Sequence, residues 1–340
     1  MTRLVNKQQH LVSRPTGEPT LDNFALVEVP VPEIAAGQVL IRHRYLSLDP
    51  YMRGRMRDAK SYADPQPLNS VMLGGTAGEV IASRSDRFAV GDQVLSAGGW
   101  QQYQVIDVDG PNDLRKVDTS RVPLSAHLGV VGMPGVTAWY GLGRIIAPRA
   151  GETVVISAAS GAVGSVAGQL ARIRGARAIG IAGGPEKCRY VVEELGFDAC
   201  IDHRQHPDAS SLAAALGDAC PDGIDGDFEN VGGVILDAVM LRMNAFSRIA
   251  ICGMIAGYND EPIQMAMPSL ILVNRMRVEG FIVSDHMNVW QAAQAELTAL
   301  VECGRIKYRE SIAHGIEAAP QAFIGLLKGR NFGKQLVELS

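Results

Sequence analysis

At 340 residues, with 47% hydrophobic and 20% charged side chains, the chain is long enough for two ordinary domains and has the balance of a soluble globular protein. A net charge of −4 without blocks of like charge argues against a nucleic-acid or anionic-membrane partner, and no stretch approaches the roughly 20 apolar residues a membrane helix needs. The opening MTRLVNKQQHLVSRP lacks the apolar core of a signal peptide, and five well-separated cysteines without a C-x-x-C pair read as reduced, mostly buried thiols of a cytoplasmic protein.

Up to about residue 120, short β-prone runs alternate with Pro and Gly. FALVEVPVP, QVLIRHRYLSL, AGEVIAS and QQYQVIDV predict strands, and FAVGDQVLS predicts a bend at Gly91-Asp92 feeding another. Together they predict a compact, mostly antiparallel barrel or sandwich. From about residue 125 the texture changes. TVVIS predicts a strand buried on both faces, and GSVAGQLARIRG a helix with Val166, Leu170 and Ile173 on one side. ARAIGIAG, ACID, GDFENVGG, SRIAICG and RVEGFIV predict further strands. Helices are predicted between them over EKCRYVVEELG, stopped at Gly196, and over ASSLAAALG and VILDAVMLRM. Six strands alternating with helices predict an α/β fold with a doubly wound parallel sheet and right-handed crossovers. The tail, from WQAAQAELTALVECG onward, predicts two amphipathic helical stretches and one last strand.

The first strand of this second half runs into SAASGAVGSVAGQ. Ala159, Gly161 and Gly164 occupy the three small-residue positions of a G-x-G-x-x-G turn, with Ala162 and Val163 between the last two. Gly161 allows a pyrophosphate to approach the backbone and Gly164 allows helix and strand to pack closely. The phosphates then meet the N–H groups and positive dipole end of the following helix. The next strand ends in IAGGPEKC, where an NAD site would place an acid for the ribose hydroxyls. Gly183 and Gly184 leave room there, and Lys187 offers a cation to a 2′-phosphate, which selects NADPH over NADH. Glu186 is the competing ribose acceptor.

The motifs LSLDPYMRGRM, GMPGVTAWYGL, AASGAVGSVAGQLA, FENVGG, ICGMIAGYN and GRNFGKQ together resemble the zinc-independent branch of the medium-chain dehydrogenase/reductase superfamily. That branch holds prostaglandin reductases, alkenal double-bond reductases and bacterial curcumin reductases. The resemblance implies a Rossmann domain over residues 125–298. It also implies a GroES-like, mostly antiparallel β-barrel formed by residues 1–124 with 299–340, and an active-site cleft at the strand C-termini. It implies NADPH-dependent reduction of the double bond of a conjugated carbonyl substrate by a homodimer. Tyr258 is then the donor to the carbonyl oxygen or the proton source, and Tyr51 shapes the pocket. Met133, Thr137, Asn230, Cys252, Gly253, Tyr258, Ile282 and Asn331 match positions that contact the dinucleotide. His203 stands where the family commonly has a tyrosine beside the adenosine phosphate, which leaves that contact open. No metal is expected: SLDPYM and GGTAGE place Gly75 or Thr76 where a zinc enzyme has histidine, and the cysteine lobe for structural zinc is missing.

The competing enzymatic readings are quinone reduction and allylic-alcohol oxidation, and the non-enzymatic one is an NADPH-binding redox sensor or structural protein. The substrate pocket is expected from loops near 56–70 and 255–290. Met52, Met56, Met254 and Met287 either line an adaptable cleft or fill the core.

Overall fold

The structure, a computed structural model, describes residues 4–259 and 262–339. It divides into two compact units, Met1–Gly129 with Glu310–Ser340, and Val130–Arg309. These limits differ from the sequence-based 124/125 and 298/299, the second of which falls inside the continuous helix Trp290–Glu302.

In the first unit the long strand Gln38–Ser47 organises the larger sheet. It pairs antiparallel with Thr76–Ser83, with Tyr103–Asp107 and with Lys334–Glu338 from the far end of the chain. A smaller sheet joins Val5–Leu11 to Phe24–Pro30 and to Ser70–Val71, again antiparallel. The core is aromatic: Trp100 stacks on Phe24 at 5.4 Å between centroids and meets Phe323 edge-on at 5.7 Å. The last strand is fastened by a buried ion pair, Lys334 Nζ to Asp49 Oδ1 at 2.6 Å, with a second bond to Leu48 O at 2.7 Å.

Besides the two-residue strands Ser70–Val71 and Arg115–Lys116, two longer strands here escaped the sequence reading. Val5–Leu11 is the polar run VNKQQHL, whose hydrogen bonds to two neighbouring strands define it better than its side chains do. Glu310–His314 adds a second strand to the tail, where one was expected, and runs parallel to Lys334–Glu338. It is an edge strand with no fully buried side chain, so it shows no apolar alternation.

The second unit holds six parallel strands, numbered here β1 (Thr153–Ile156), β2 (Arg177–Ala182), β3 (Ala199–Asp202), β4 (Ile224–Glu229), β5 (Met243–Ile251) and β6 (Arg277–Gly280). Their order across the sheet is 3-2-1-4-5-6, the doubly wound arrangement in which the direction of winding reverses between β1 and β4. All four residues of β1 are buried, as a central strand covered on both faces requires. Helix α1 (Gly164–Ile173) is more deeply covered than its one-sided pattern predicts, with every residue from Gly164 to Ala171 buried. It packs against the sheet and against the helix Met133–Tyr140. Small residues permit this: a Cβ on Gly168 would lie 1.8 Å from the Phe197 ring.

Candidate active site

The turn between β1 and α1 is built as tightly as its small residues imply. Ala158 takes a left-handed conformation with φ of 48°, and Gly161 N donates back to Ala158 O at 2.8 Å. A Cβ on Gly164 would sit 2.4 Å from Ala158 O, and one on Gly161 would sit 3.1 Å from the same oxygen. Ala159 is fully buried and its N–H donates to Ile181 O on β2 at 3.0 Å, which locks the turn onto the sheet. Val163 precedes α1 and no side chain caps the helix; Ser165 N donates to Gly161 O at 3.0 Å and Val166 N to Val163 O at 3.1 Å, so the helix offers a ligand chiefly its positive dipole end. Ala162 and Val163 are half-buried on this turn.

Beside it, the end of β2 gathers cations. Gly184 has φ of 97°, a conformation costly for other residues, and its N–H donates to Asp202 Oδ1 at 2.7 Å. A Cβ on Gly183 would meet His203 Nε2 at 3.0 Å and Arg204 Nε at 3.1 Å. Lys187 stands in helix α2 (Pro185–Arg189), half-buried. Its ammonium is held below its ordinary value by burial and then by Arg204, while burial, Arg204 and Lys187 lower the His203 imidazole against the pull of Asp202. The structure therefore brings Gly183, Gly184, Lys187 and His203 into one cluster, together with Arg204, which sequence reasoning missed. Its signal was its place directly after His203 at the end of the third strand. Asp202 is the acid nearest the two glycines, but it is engaged by the N–H groups of Gly184 and Arg204. Glu186 is exposed in the first turn of α2.

The strand reversal between β1 and β4 forms the other half of this site. Asn230 follows β4; its N–H donates to Ser157 Oγ at 2.7 Å and its side-chain amide to Ser157 O at 2.8 Å. Glu229 is fully buried, and one carboxylate oxygen accepts from Ser157 Oγ at 2.8 Å, Gly232 N at 2.8 Å and Val231 N. Burial raises its carboxyl, against those N–H bonds. Two residues earlier, the carboxyl of fully buried Asp227 has no hydrogen-bond partner among the described residues, its backbone lying between Val155 and Ile249; burial pushes it well above its ordinary value. Ser157 and Glu229 were not singled out in the sequence, since only the pairing of β1 with β4 makes them neighbours.

Cys252 and Gly253 leave β5 with both N–H groups on Glu229 O, at 2.9 and 3.2 Å. Tyr258 follows one short turn later. Met254 N donates to its phenolic oxygen at 3.5 Å, and a Cβ on Gly253 would lie 3.4 Å from that oxygen and 3.3 Å from Asn230 O. Asn230, Gly253 and Tyr258 thus share one small neighbourhood. Burial and Glu229 push the Cys252 thiol up to about 12. Met133 and Thr137 lie one turn apart in Met133–Tyr140, joined by a bond from Thr137 Oγ1 to Met133 O at 2.8 Å, and Ile282 is half-buried just after β6.

Tyr51 and Asn331 belong to the first unit. Tyr51 opens the helix Tyr51–Arg55, and burial together with Asp49 holds its phenol above its ordinary value, so it stays a protonated donor at neutral pH. Asn331 lines a groove of about 380 Å³ with Ser311, Gln321, Arg330 and Gln335, its amide donating to Gly333 O at 2.8 Å. Met52 and Met56 do not line a cleft: both are fully buried core residues beside Trp100, where long unbranched side chains fill the space. Met254 is half-buried against the core of the second unit and Met287 is exposed. Of the expected pocket loop 255–290, residues 260 and 261 lie outside the described residues. The cysteines also depart from expectation, because only Cys220 is buried; Cys188, Cys200 and Cys252 are half-buried and Cys303 is exposed, all as free thiols. Thr76 is buried, with its hydroxyl bonded to Ser96, and among the described residues no three His, Cys, Asp or Glu side chains are grouped to hold a metal.

Residues 7–114 match a family model described as the N-terminal domain of oxidoreductase, and residues 162–299 one described as zinc-binding dehydrogenase. The NADPH-dependent curcumin reductase of Escherichia coli (strain K12) is 44% identical, over 98% of this chain and 97% of the relative. The NADP(+)-dependent 2-alkenal reductase of Nicotiana tabacum is 39% identical over 98% of both. The crystal structure of CurA from Vibrio vulnificus in complex with NADPH superimposes with a TM-score of 0.91 at 46% identity, covering 98% of this chain and 99% of that one.

Proposed function

The chain belongs to the medium-chain dehydrogenase/reductase superfamily, in the branch of the curcumin and alkenal reductases, and on that footing we propose that it is an NADPH-dependent reductase of the carbon–carbon double bond of conjugated enones and enals. The observation that carries the reading is the Lys187–His203–Arg204 cluster around Gly183 and Gly184, next to an uncapped helix reached through a turn with no room for a Cβ. Such a pair of anion sites fits a dinucleotide whose central pyrophosphate meets one and whose adenosine 2′-phosphate meets the other. Ala159, Gly161, Ala162, Val163 and Gly164 would hold the first, and Gly183, Gly184, Lys187 and His203, joined by Arg204, the second. Met133, Thr137, Asn230, Cys252, Gly253 and Ile282 would border the remainder.

Bound NADPH supplies the hydride that the β carbon of the substrate accepts. Tyr258 donates a hydrogen bond to the carbonyl oxygen, where negative charge develops, and holds the proton for the α carbon. The bond from Met254 N falls on a lone pair of the phenolic oxygen. Glu229 and Ser157 act behind it by fixing Asn230 and the turn after β4. No metal is assigned a role in this scheme.

The cytoplasm is the proposed compartment, supported by five free thiols. A homodimer formed through the second unit is supported by the edge position of β6 and by Phe246, Leu272 and Val273, exposed at 67, 80 and 61%. The test is loss of the nicotinamide absorbance on mixing NADPH or NADH with alkenals, alkenones, quinones and diarylheptanoid enones. Turnover of enones with a preference for NADPH is expected. Equal efficiency with both cofactors, or tight NADPH binding without turnover of any enone, would refute the proposal.

A further inference from the structure

Two of the widely spaced cysteines meet. Cys188 follows Lys187 in α2, and Cys200 lies in β3, paired with Gly180 of β2. A Cβ on Gly180 would stand 3.2 Å from Cys200 Sγ and 3.0 Å from Val191, so the bare glycine makes room for the sulfur. Helix α2 packs on β3; the Cys200 thiol lies within hydrogen-bonding reach of the Cys188 sulfur, and the Ala182 amide reaches both. Cys188 and Cys200 are half-buried residues, whereas Cys220 is buried.

We propose that Cys188 and Cys200 form a peroxide-sensitive dithiol whose closure to a disulfide weakens NADPH binding; the second half rests on the reading of Lys187 and His203 as the 2′-phosphate site. The hydrogen bond from Cys200 holds the Cys188 thiol below its ordinary value, whereas Cys200 is raised by the same bond and by burial. Cys188 stands on a helix with no buried residue, whereas the Cys200 sulfur is packed against Gly180 of the sheet, so Cys188 is the attacking thiolate and Cys200 the resolving thiol. The Cys188 sulfur attacks one oxygen of a hydroperoxide: an S–O bond forms, the O–O bond breaks, and the departing oxygen takes up a proton. Sulfur is oxidised to the sulfenic acid and the peroxide is reduced. Cys200 then gives up its proton and attacks Cys188 Sγ; the S–S bond forms, the S–O bond breaks, and water leaves. Two thiols and one hydrogen peroxide yield one disulfide and two waters.

A disulfide holds its sulfurs at about 2.05 Å, well inside any hydrogen-bond separation, so closure draws α2 toward β3. The first element carries Lys187, and the second ends in Asp202, which holds Gly184 N at 2.7 Å, and in His203. Closure thus displaces the cations from the two glycines they surround. NADH, which lacks the 2′-phosphate, is little affected.

The experiment treats the full chain with a slight excess of hydrogen peroxide, maps peptides without reduction, and measures Michaelis constants for both cofactors. A linked Cys188–Cys200 peptide pair is expected, about 2 Da lighter than the two thiol peptides combined. The NADPH constant should rise about fivefold or more with the NADH constant nearly unchanged, dithiothreitol reversing the change. Cys200→Ser, normal when reduced, should trap a sulfenic acid at Cys188 and form no link. Oxidation confined to Cys303 or Cys252, or a link without change in the NADPH constant, overturns the proposal. A reduced enzyme that uses both cofactors alike overturns the phosphate-site reading and with it the second half, while the peptide map still judges the first.

Discussion

Replacing Lys187 with alanine tests the cofactor reading where it is most exposed. Two unit charges 4 Å apart attract by about 1 kcal/mol in water and about 4 kcal/mol at an effective dielectric of 20. Lys187 is half-buried, so its contact with a phosphate falls between these limits, and solvent trims the upper one. Against the attraction stand its own desolvation and the repulsion from Arg204, both of which lower its pKa in the free protein and both of which vanish with the side chain. The net loss is therefore about 1–3 kcal/mol, the range of a charge-assisted contact, or roughly 5- to 150-fold in the Michaelis constant for NADPH. Steady-state kinetics with NADPH and NADH, at low and high salt, reads this directly. The NADPH constant should rise, the NADH constant should hold, and the difference should shrink with salt. An equal rise for both cofactors, or no rise for NADPH, would show that the lysine is merely a solvated helix residue and that the phosphate lies elsewhere.

Tyr258→Phe should lower turnover about tenfold or more with little change in NADPH affinity, as loss of one donor to a developing oxyanion does; an unchanged rate removes its assigned role. Gly164→Ala should cost about 1–3 kcal/mol of stability and weaken NADPH, because the new methyl would overlap Ala158 O at 2.4 Å; a variant with unaltered melting temperature and cofactor affinity contradicts the tight turn. His43 gives a pH test. Its Nδ1–H donates to Gln101 O at 2.8 Å, and burial lowers its imidazole from 6.5 to about 4. The folded pKa of this base is depressed, so the unfolded chain binds the proton first. Stability is fully present above about pH 6.5 and is lost as the pH falls toward 4, by about 2 kcal/mol between pH 7 and pH 5. Urea unfolding of His43→Gln should lack that part of the slope; parallel losses in variant and wild type would contradict it.

Much of this was legible because the second unit obeys local rules. TVVIS, GSVAGQLARIRG and ARAIGIAG each carry their element in their own composition, and alternation of strands with helices leaves few topologies to consider. The glycine turn and Lys187 were legible for the same reason: backbone room and a cation are properties of single positions. What stayed hidden depends on pairing. Ser157 and Glu229 lie 72 residues apart and become partners only through the register of β1 with β4. Arg204 and Asp202 join the glycines only because β3 lies beside β2. The strands VNKQQHL and Glu310–His314 have no fully apolar face, so ladder bonds to neighbours define them. The methionines of DPYMRGRM could not be assigned to core or cleft because thioether side chains suit both settings.

The fastening of Lys334 to Asp49 also bears on how the molecule is made. The two residues are separated by 285 positions, and closing so long a loop costs about 5 kcal/mol before the buried pair and the adjoining strand give anything back. During translation Gln38–Ser47 emerges early and waits for its partner while all of Val130–Arg309 leaves the ribosome and becomes free to fold. The amino-terminal unit, begun first, is therefore finished last, and for that interval the end of Gln38–Ser47 that takes Lys334–Glu338 is an open strand edge, able to pair with another chain.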